Sequence, residues 1–147
     1  MEMTISNGSN LSTNQLIEGV FKILDEAYGQ SPWSKNQILA DYNQDNTDYF
    51  FLFENDQVVG FLALQGLFGE MELTNIAVLP SYQGRGLSKQ LMANLEDMDE
   101  PIFLEVRISN KKAQNLYQQF GFEKVGYRKH YYHHPIEDAV LMKREAR

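Results

Sequence analysis

The segment from Ala77 to Leu91, "AVLPSYQGRGLSKQL", constrains the fold of this chain more than any other stretch. Its first residues are apolar and β-prone, whereas leucines recur at helical spacing from Leu87 to Leu95. A turn containing Gly84 and Gly86 therefore joins a buried strand to a helix. Such strand–turn–helix units build sheets that are covered by helices, so the segment indicates an α/β protein.

The same turn is a candidate anion site. Backbone N–H groups converge where a glycine-rich turn opens a helix, and the helix dipole is positive there. Arg85 and Lys89 add positive charge. By itself the signal is weak, because most Gly-x-Gly turns only reverse the chain. The turn lacks the Gly-Lys-Ser/Thr of a P-loop, and it lacks the third glycine and the acidic residue about twenty positions on of a dinucleotide fingerprint.

Two helices are predicted before the sheet. Both start with a capping box, Ser12 with Gln15 and Ser34 with Gln37. Three β-rich runs follow, and their short separations predict an antiparallel meander. The runs are "DYFFLF", "QVVGFLALQGLF" and "MELTNIAV".

The second half of the chain alternates helices and strands. A helix is predicted from Leu87 to about Asp97, then a buried strand "IFLEVR", then a helix with Asn110 as N-cap and Gly121 just past its end. The runs "FEKVGYR" and "DAVLMK" predict a closing pair of strands. A meander combined with βα units predicts a mixed sheet flanked by helices.

Length and composition limit the organisation of the chain. Its 147 residues fit one domain, 1–147, with about the first ten residues loosely ordered. No run approaches the roughly 18 apolar residues of a membrane span. The N-terminal segment has neither a basic leader nor an apolar block, so we expect a cytoplasmic protein without a membrane partner.

Cysteine content and charge exclude several kinds of chemistry. With 0 Cys, the chain has no disulfide, no thiolate metal site and no cysteine nucleophile, so an acyl-thioenzyme is excluded. The formal net charge of -7 argues against direct nucleic-acid binding, which needs a basic face. A cationic peptide or amine is the more natural partner.

The turn also carries a family resemblance. "NIAVLPSYQGRGLS" resembles the acetyl-coenzyme A motif of the GNAT N-acetyltransferases, Gln/Arg-x-x-Gly-x-Gly/Ala, with Gln83 and Gly86 matched and Ser88 in place of the usual small apolar residue. The segments "LEVRISNKKAQNLYQQFGFEKVGYRKHYY", "EDAVLMKRE" and "SPWS" are similar to the RimI-like ribosomal-protein-alanine acetyltransferases. The resemblance spans Ser31 to Glu145. The connection between the turn and "LEVR" is shorter than is usual there, so the helix or its exit loop must be abbreviated.

The resemblance implies the GNAT fold, classed as α/β (α+β), with a mixed, mostly antiparallel central sheet flanked by helices. It also implies acetyl-coenzyme A as cosubstrate. The backbone of Ile76 to Val78 would pair with the pantetheine arm, the turn would wrap the diphosphate, and the next helix would contact the cofactor. The implied cofactor-binding residues are Ile76, Ala77, Val78, Gly84, Arg85, Gly86, Leu87, Ser88, Lys89, Asn110 and Tyr117.

Two residues are candidates for catalysis, and each has a structural alternative. Glu105 lies in the apolar run "IFLEVR", where a carboxylate faces either a cleft or a partner such as Arg107 on the same strand face. Tyr117 lies on a helix stripe, where it is either a core aromatic or a phenol at the rim. The resemblance implies that Glu105 is the general base and Tyr117 the acid that protonates the coenzyme A thiolate.

The acceptor side is less constrained. Trp33 in "SPWS" is either a core residue or part of a substrate groove, and Tyr131 and Tyr132 in "HYYHHP" are candidates for substrate binding beside Glu105. The histidines of that segment lack the spacing of a metal site, so no metal is expected.

The expected function is transfer of an acetyl group from acetyl-coenzyme A directly to an amine. The resemblance favours the N-terminal α-amine of a protein beginning with alanine, such as a small-subunit ribosomal protein. An enzyme for small-molecule amines or protein lysines is the alternative, because substrate choice lies in loops outside the motif. A non-catalytic coenzyme A-binding module and a dinucleotide-binding regulatory domain are more distant alternatives.

Overall fold

The computed structural model of this protein describes residues 4–6 and 11–147. Two helices precede a long antiparallel segment, and two further helices alternate with the last strands. The elements are β1 (Thr4–Ser6), α1 (Thr13–Tyr28), α2 (Lys35–Tyr42), β2 (Thr47–Glu54), β3 (Gln57–Leu67), β4 (Glu70–Val78), α3 (Leu87–Met92), β5 (Ile102–Arg107), α4 (Lys111–Gln119), β6 (Glu123–Tyr132) and β7 (Glu137–Arg144), with 3₁₀ turns at Pro80–Tyr82 and Ala93–Leu95.

The strands form one seven-stranded sheet in the order β1-β2-β3-β4-β5-β7-β6. The predicted meander is confirmed, since β2, β3 and β4 pair antiparallel in sequence. Strand β5 joins β4 in parallel, and β7 inserts antiparallel between β5 and β6. The predicted fold class, a mixed and mostly antiparallel sheet flanked by helices, is also confirmed.

The sheet opens between β4 and β5. Among the described residues these strands pair at two positions, Met71 with Ile102 and Glu72 with Phe103, although both strands continue beyond them. The register between β3 and β4 shifts just after this point, so that Thr74 is an extra residue on β4. The two strands therefore separate toward their carboxyl ends and leave a gap in the middle of the sheet.

Local sequence signals set the helix ends as predicted. Both capping boxes form, because Ser12 and Ser34 each accept from the backbone N–H three residues on while the Gln side chain bonds back to the cap. Asn110 caps α4 by accepting from the N–H of Ala113 at 3.1 Å. Gly121 follows α4 with a left-handed φ of 90°.

Helix α3 differs from its prediction. It ends at Met92 and continues as a 3₁₀ turn to Leu95, so the expected end near Asp97 is wrong. The buried side chain of Arg144 on β7 reaches into this region and donates to the carbonyls of Leu95, Met98 and Glu100. These long-range bonds take up carbonyls at the end of the turn and in the loop before β5. The abbreviated connection expected from the sequence is therefore a short helix whose exit loop is held by β7.

The first ten residues were expected to be loosely ordered. Residues 4–6 instead form β1, which pairs antiparallel with β2 from Thr4 opposite Phe53 to Ser6 opposite Phe51. The rest of that segment lies outside the described residues. In the described part of the chain, no helix has both the length and the apolar character needed to cross a membrane.

Candidate active site

The gap between β4 and β5 is a groove with a volume of about 830 Å³. The glycine-rich turn lies at one part of its wall, α4 at another, and the α1–α2 loop and the end of β6 at a third. Most of the site residues expected from the sequence line it. These are Trp33, Ile76, Ala77, Val78, Gly84, Gly86, Leu87, Ser88, Lys89, Glu105, Asn110, Tyr117 and Tyr132.

The β4 wall offers a strand edge to the groove. From Ile76 to Val78 the strand pairs with β3 on one side, where Ile76 lies opposite Leu62 and Val78 opposite Gly60. Its other side faces the gap, because the described pairing with β5 ends at Glu72. An extended ligand that carries amide groups can add to such an edge as a further strand.

The glycine-rich turn combines left-handed backbone with open space. Gly84 and Gly86 have φ of 81° and 76°, and a Cβ added to either would meet no atom within 4 Å. The side chain of Gln83 donates to the carbonyl of Val78 at 3.2 Å and ties the turn to the end of β4. Gly86 is the N-cap of α3, whose first N–H groups have no acceptor within the helix. The turn can therefore bring backbone amides close to an anionic group.

The two cations of the turn behave differently. Lys89 lines the groove. The guanidinium of Arg85 lies 4.9 Å from the ring centroid of Tyr82 and 3.5 Å from the carbonyl of Ser81. Tyr82 in turn bonds to Glu54, and this bond raises the pKa of the Tyr82 phenol. Arg85 is thus stacked on the 3₁₀ turn that precedes the glycines.

Tyr117 on α4 is both a core aromatic and a residue of the groove wall. Its side chain is buried, and its ring packs on Phe122 with centroids 6.0 Å apart. Burial, and then the nearby phenols of Tyr28 and Tyr132, raise the pKa of Tyr117 well above its usual value. The phenol also lines the groove, so it is a packed ring whose hydroxyl stays protonated throughout the neutral range.

Glu105 lies on β5 with 18% of its side chain exposed. Its Oε1 is 3.5 Å from Nε of Arg128 on β6. Its Oε2 is buried and has no hydrogen-bond partner among the residues that the structure describes. Leaving a buried carboxylate oxygen without a hydrogen bond costs free energy.

The predicted alternative pairing of Glu105 with Arg107 is wrong. Arg107 lies two residues further along β5, where it reaches the β6–β7 connection instead. Its guanidinium donates to the carbonyls of Pro135 at 3.0 Å and His133 at 3.2 Å, approaches Glu137 at 3.5 Å, and stacks 4.5 Å from the ring centroid of Tyr132.

The aromatic residues expected on the acceptor side occupy different places. Trp33 is half-buried against the core and also lines the groove. Tyr132 lines the groove, where burial and then the charge of Glu105 raise its pKa to about 12. Tyr131 is 46% exposed, and partial burial, followed by the charge of nearby Glu105, raises the pKa of its phenol.

Sequence reasoning missed three contributors. Arg128, the ion-pair partner of Glu105, comes from a strand distant in sequence, and no local pattern announces the pairing. Thr74 forms the extra residue of β4 without a glycine or proline to signal it. Buried Gln114 on α4 donates to the carbonyls of Arg107 and Ile108 at 3.1 and 3.0 Å, and so holds α4 against the end of β5. Its place at helical spacing from Tyr117 was the available signal.

The histidines near the end of β6 belong to no metal-binding cluster among the described residues. In residues 4–6 and 11–147, no group of three or more His, Asp or Glu side chains is placed to hold a metal ion.

Comparison with known proteins gives consistent matches. The acetyltransferase (GNAT) family matches residues 17–122. The ribosomal protein bS18-alanine N-acetyltransferase of Haemophilus ducreyi is 36% identical over 129 residues, which cover 81% of this chain and 87% of that protein.

Solved structures agree. The crystal structure of the ribosomal-protein-S18-alanine N-acetyltransferase from Escherichia coli superposes with a TM-score of 0.84 at 31% identity, covering 97% of this chain and 93% of the other. At 16% identity, an N-acetyltransferase from Thermoplasma acidophilum in complex with coenzyme A shares the fold, with a TM-score of 0.75 and 99% of both chains covered.

Proposed function

Because this chain belongs to the acetyltransferase (GNAT) family and is an N-acetyltransferase, we propose that it acetylates the N-terminal α-amine of a protein that begins with alanine. A ribosomal protein is the proposed acceptor, as in the names of its relatives. One observation carries the proposal: a carboxylate, Glu105, and a buried phenol, Tyr117, line the same groove. Direct transfer to an amine needs one group to accept a proton and another to donate one.

The groove suits acetyl-coenzyme A as cosubstrate. The free edge of β4 from Ile76 to Val78 would pair with the amides of the pantetheine arm. The turn from Gly84 to Lys89 would hold the diphosphate, since the space beside both glycines is open and Arg85 and Lys89 bring positive charge. Asn110 and Tyr117 line the same groove from the side of α4. Bound there, acetyl-coenzyme A supplies a thioester whose carbonyl carbon accepts the amine.

The chain's own residues manage the protons. Glu105, which lines the groove, accepts a proton from the incoming amine, while Nε of Arg128 lies 3.5 Å from its Oε1. As the carbon–nitrogen bond forms and the carbon–sulfur bond breaks, Tyr117 donates its phenolic proton to the leaving sulfur. No cysteine exists to carry the acetyl group, so the transfer is direct.

An α-amine is the easier nucleophile for this site. Its reference pKa of about 7.8 leaves roughly a tenth of it neutral at pH 7, whereas a lysine with a pKa of about 10.4 is almost wholly charged. Trp33, Tyr131 and Tyr132 would form the acceptor side, between the α1–α2 loop and the end of β6. The net charge of -7 suits a basic protein as partner. We propose a cytoplasmic location, with no membrane and no direct nucleic-acid partner.

A competition experiment tests the acceptor. The purified protein is incubated with acetyl-coenzyme A, a peptide with a free N-terminal alanine, and the same peptide blocked at its N-terminus but carrying an internal lysine. Mass spectrometry then locates the added acetyl group. We expect it on the alanine nitrogen. Acetylation mainly on the lysine would overturn the N-terminal proposal and favour a lysine or small-amine acetyltransferase.

A further inference from the structure

Two consecutive tyrosines at the end of β6 share one side of the strand. The ring centroids of Tyr131 and Tyr132 are 5.0 Å apart, with an edge-on angle of 84°. In a regular strand neighbouring side chains point to opposite faces, so the strand must be interrupted here. The pairing with β7 shows the interruption: Arg128 lies opposite Ala139 and Tyr132 opposite Glu137. Residues 129–131 of β6 therefore face Asp138 alone, and we call them the β6 bulge.

The β6 bulge depends on an uncommon backbone conformation. His130 has a φ of 52°, in the left-handed region that non-glycine residues rarely adopt. The carboxylate of Asp138 accepts a hydrogen bond from the backbone N–H of His130 at 2.9 Å. The carbonyl of Asp138 accepts from the N–H of Ile108, just past β5, at 3.0 Å. One residue thus fixes the bulge and ties it to the strand that carries Glu105.

The bulge determines what surrounds Glu105. It lets Tyr131 lie against the carboxylate together with Arg128, whose guanidinium is 5.6 Å from the ring centroid of Tyr131 and whose Nε is 3.5 Å from Oε1 of Glu105. Tyr132 can then turn into the groove. With regular alternation, Tyr131 and Tyr132 would point to opposite faces, and only one could lie on the side of Glu105.

We infer that Asp138 is a positioning residue for acetyl transfer, which acts by holding the β6 bulge so that Arg128 and Tyr131 orient Glu105 while Tyr132 lines the acceptor side. This role rests on the proposed function of Glu105. Asp138 lies outside the groove lining and acts only through the bulge. Arg107 separately anchors the following segment through His133 and Pro135, so loss of the Asp138 bond would loosen the bulge without freeing the whole connection.

The test uses the full chain and steady-state kinetics with the N-terminal alanine peptide as acceptor. Asp138→Ala should lower kcat/KM for the peptide by about 10- to 100-fold, because small displacements of catalytic groups cost rate steeply. Its affinity for acetyl-coenzyme A, measured by calorimetry, should stay unchanged. Asp138→Asn should restore activity close to that of the wild type, because an amide oxygen accepts the same bond.

A second variant leaves Asp138 in place. His130 is exposed, and His130→Pro removes the N–H donor and forbids a positive φ. His130→Pro should reproduce the loss of kcat/KM expected for Asp138→Ala. If Asp138→Ala does not fold, His130→Pro alone tests whether the β6 bulge positions Glu105.

Three results would overturn the inference. They are wild-type kcat/KM in Asp138→Ala, a loss in Asp138→Asn as large as in Asp138→Ala, and wild-type kinetics in His130→Pro. Failure of the proposed function is a separate result, since the wild-type protein would then not acetylate the alanine peptide. If the wild-type protein acetylates the lysine peptide instead, the same variants compared on that peptide still support or overturn the role of Asp138.

Discussion

Glu105 places its two carboxylate oxygens in different environments. Oε1 faces Arg128, and Oε2 is buried without a partner among the described residues. Glu72 lies on the neighbouring strand, where burial and the charge of Glu105 raise its pKa. Two carboxylates therefore share one region of the sheet, but only Glu105 lines the groove. This difference distinguishes the proposed base, Glu105, from a neighbouring carboxylate.

Replacing Glu105 with glutamine tests its role as the base. Glu105→Gln keeps the shape of the side chain, so acetyl-coenzyme A affinity should be retained, while turnover should fall by about 10²- to 10⁴-fold. Activity should partly recover at high pH, where the amine is already neutral. Glu72→Gln is the matched control, because it removes the nearby charge and leaves the base. Normal turnover of Glu105→Gln at neutral pH would assign Glu105 a structural role.

Tyr117 is tested by removing its hydroxyl alone. Tyr117→Phe keeps the ring packed on Phe122, so the melting temperature should change little, while turnover should fall by about 10²-fold or more through loss of the acid. In the wild type, the raised pKa of Tyr117 means that its proton is not lost as pH rises through 9, so its ionisation should not limit activity there. Tyr28→Phe removes a phenol nearby and should leave turnover high. The opposite ranking of the two variants would exclude Tyr117 as the acid.

The candidate anion site depends on the conformation of the whole glycine-rich turn and on no single residue of it. Gly84 and Gly86 bend the chain so that α3 starts beside the open edge of β4, and Gln83 holds the turn to Val78. The anion site expected there needs both the exposed amides and the absence of side chains. Neither feature could bind a ligand without the gap between β4 and β5, which gives the ligand room beside the turn.

A pair of glycine substitutions separates binding from backbone strain. Gly86→Glu places bulk and negative charge in the groove and should abolish binding of acetyl-coenzyme A. Gly69, between β3 and β4, has a similar φ of 79° and equally open surroundings, but it lies outside the groove lining. Gly69→Glu should therefore cost comparable stability and retain binding. Calorimetry that finds wild-type affinity in folded Gly86→Glu would refute the diphosphate site.

At the scale of the whole molecule, distant parts of the chain meet around one groove. The α1–α2 loop brings Trp33, β5 brings Glu105, α4 brings Tyr117, and β6 brings Tyr132. Long-range hydrogen bonds hold these parts in place. Arg144 of β7 donates to backbone carbonyls in the connection before β5, and Gln114 of α4 donates to the carbonyl of Ile108 just after β5. Both ends of β5 are thus fixed by side chains from other elements, which keeps Glu105 at a constant position in the sheet.

Features that depend on near neighbours could be predicted from the sequence. The capping boxes at Ser12 and Ser34, the Asn110 cap and Gly121 just past α4 all follow from contacts within a few residues, and the structure confirms each of them. The motif around Gln83 and Gly86 was also sufficient to identify the family. The chemical roles of Glu105 and Tyr117 came with that resemblance, and they remain proposals.

Features that depend on pairing between distant strands could not be predicted and emerge in the folded chain. The gap between β4 and β5, the extra residue Thr74 and the β6 bulge are set by register with other strands, which local sequence does not specify. For the same reason Arg128, and not the expected Arg107, pairs with Glu105. An ion pair follows distance in the folded chain, where Arg128 on β6 reaches across β7 to Glu105 on β5.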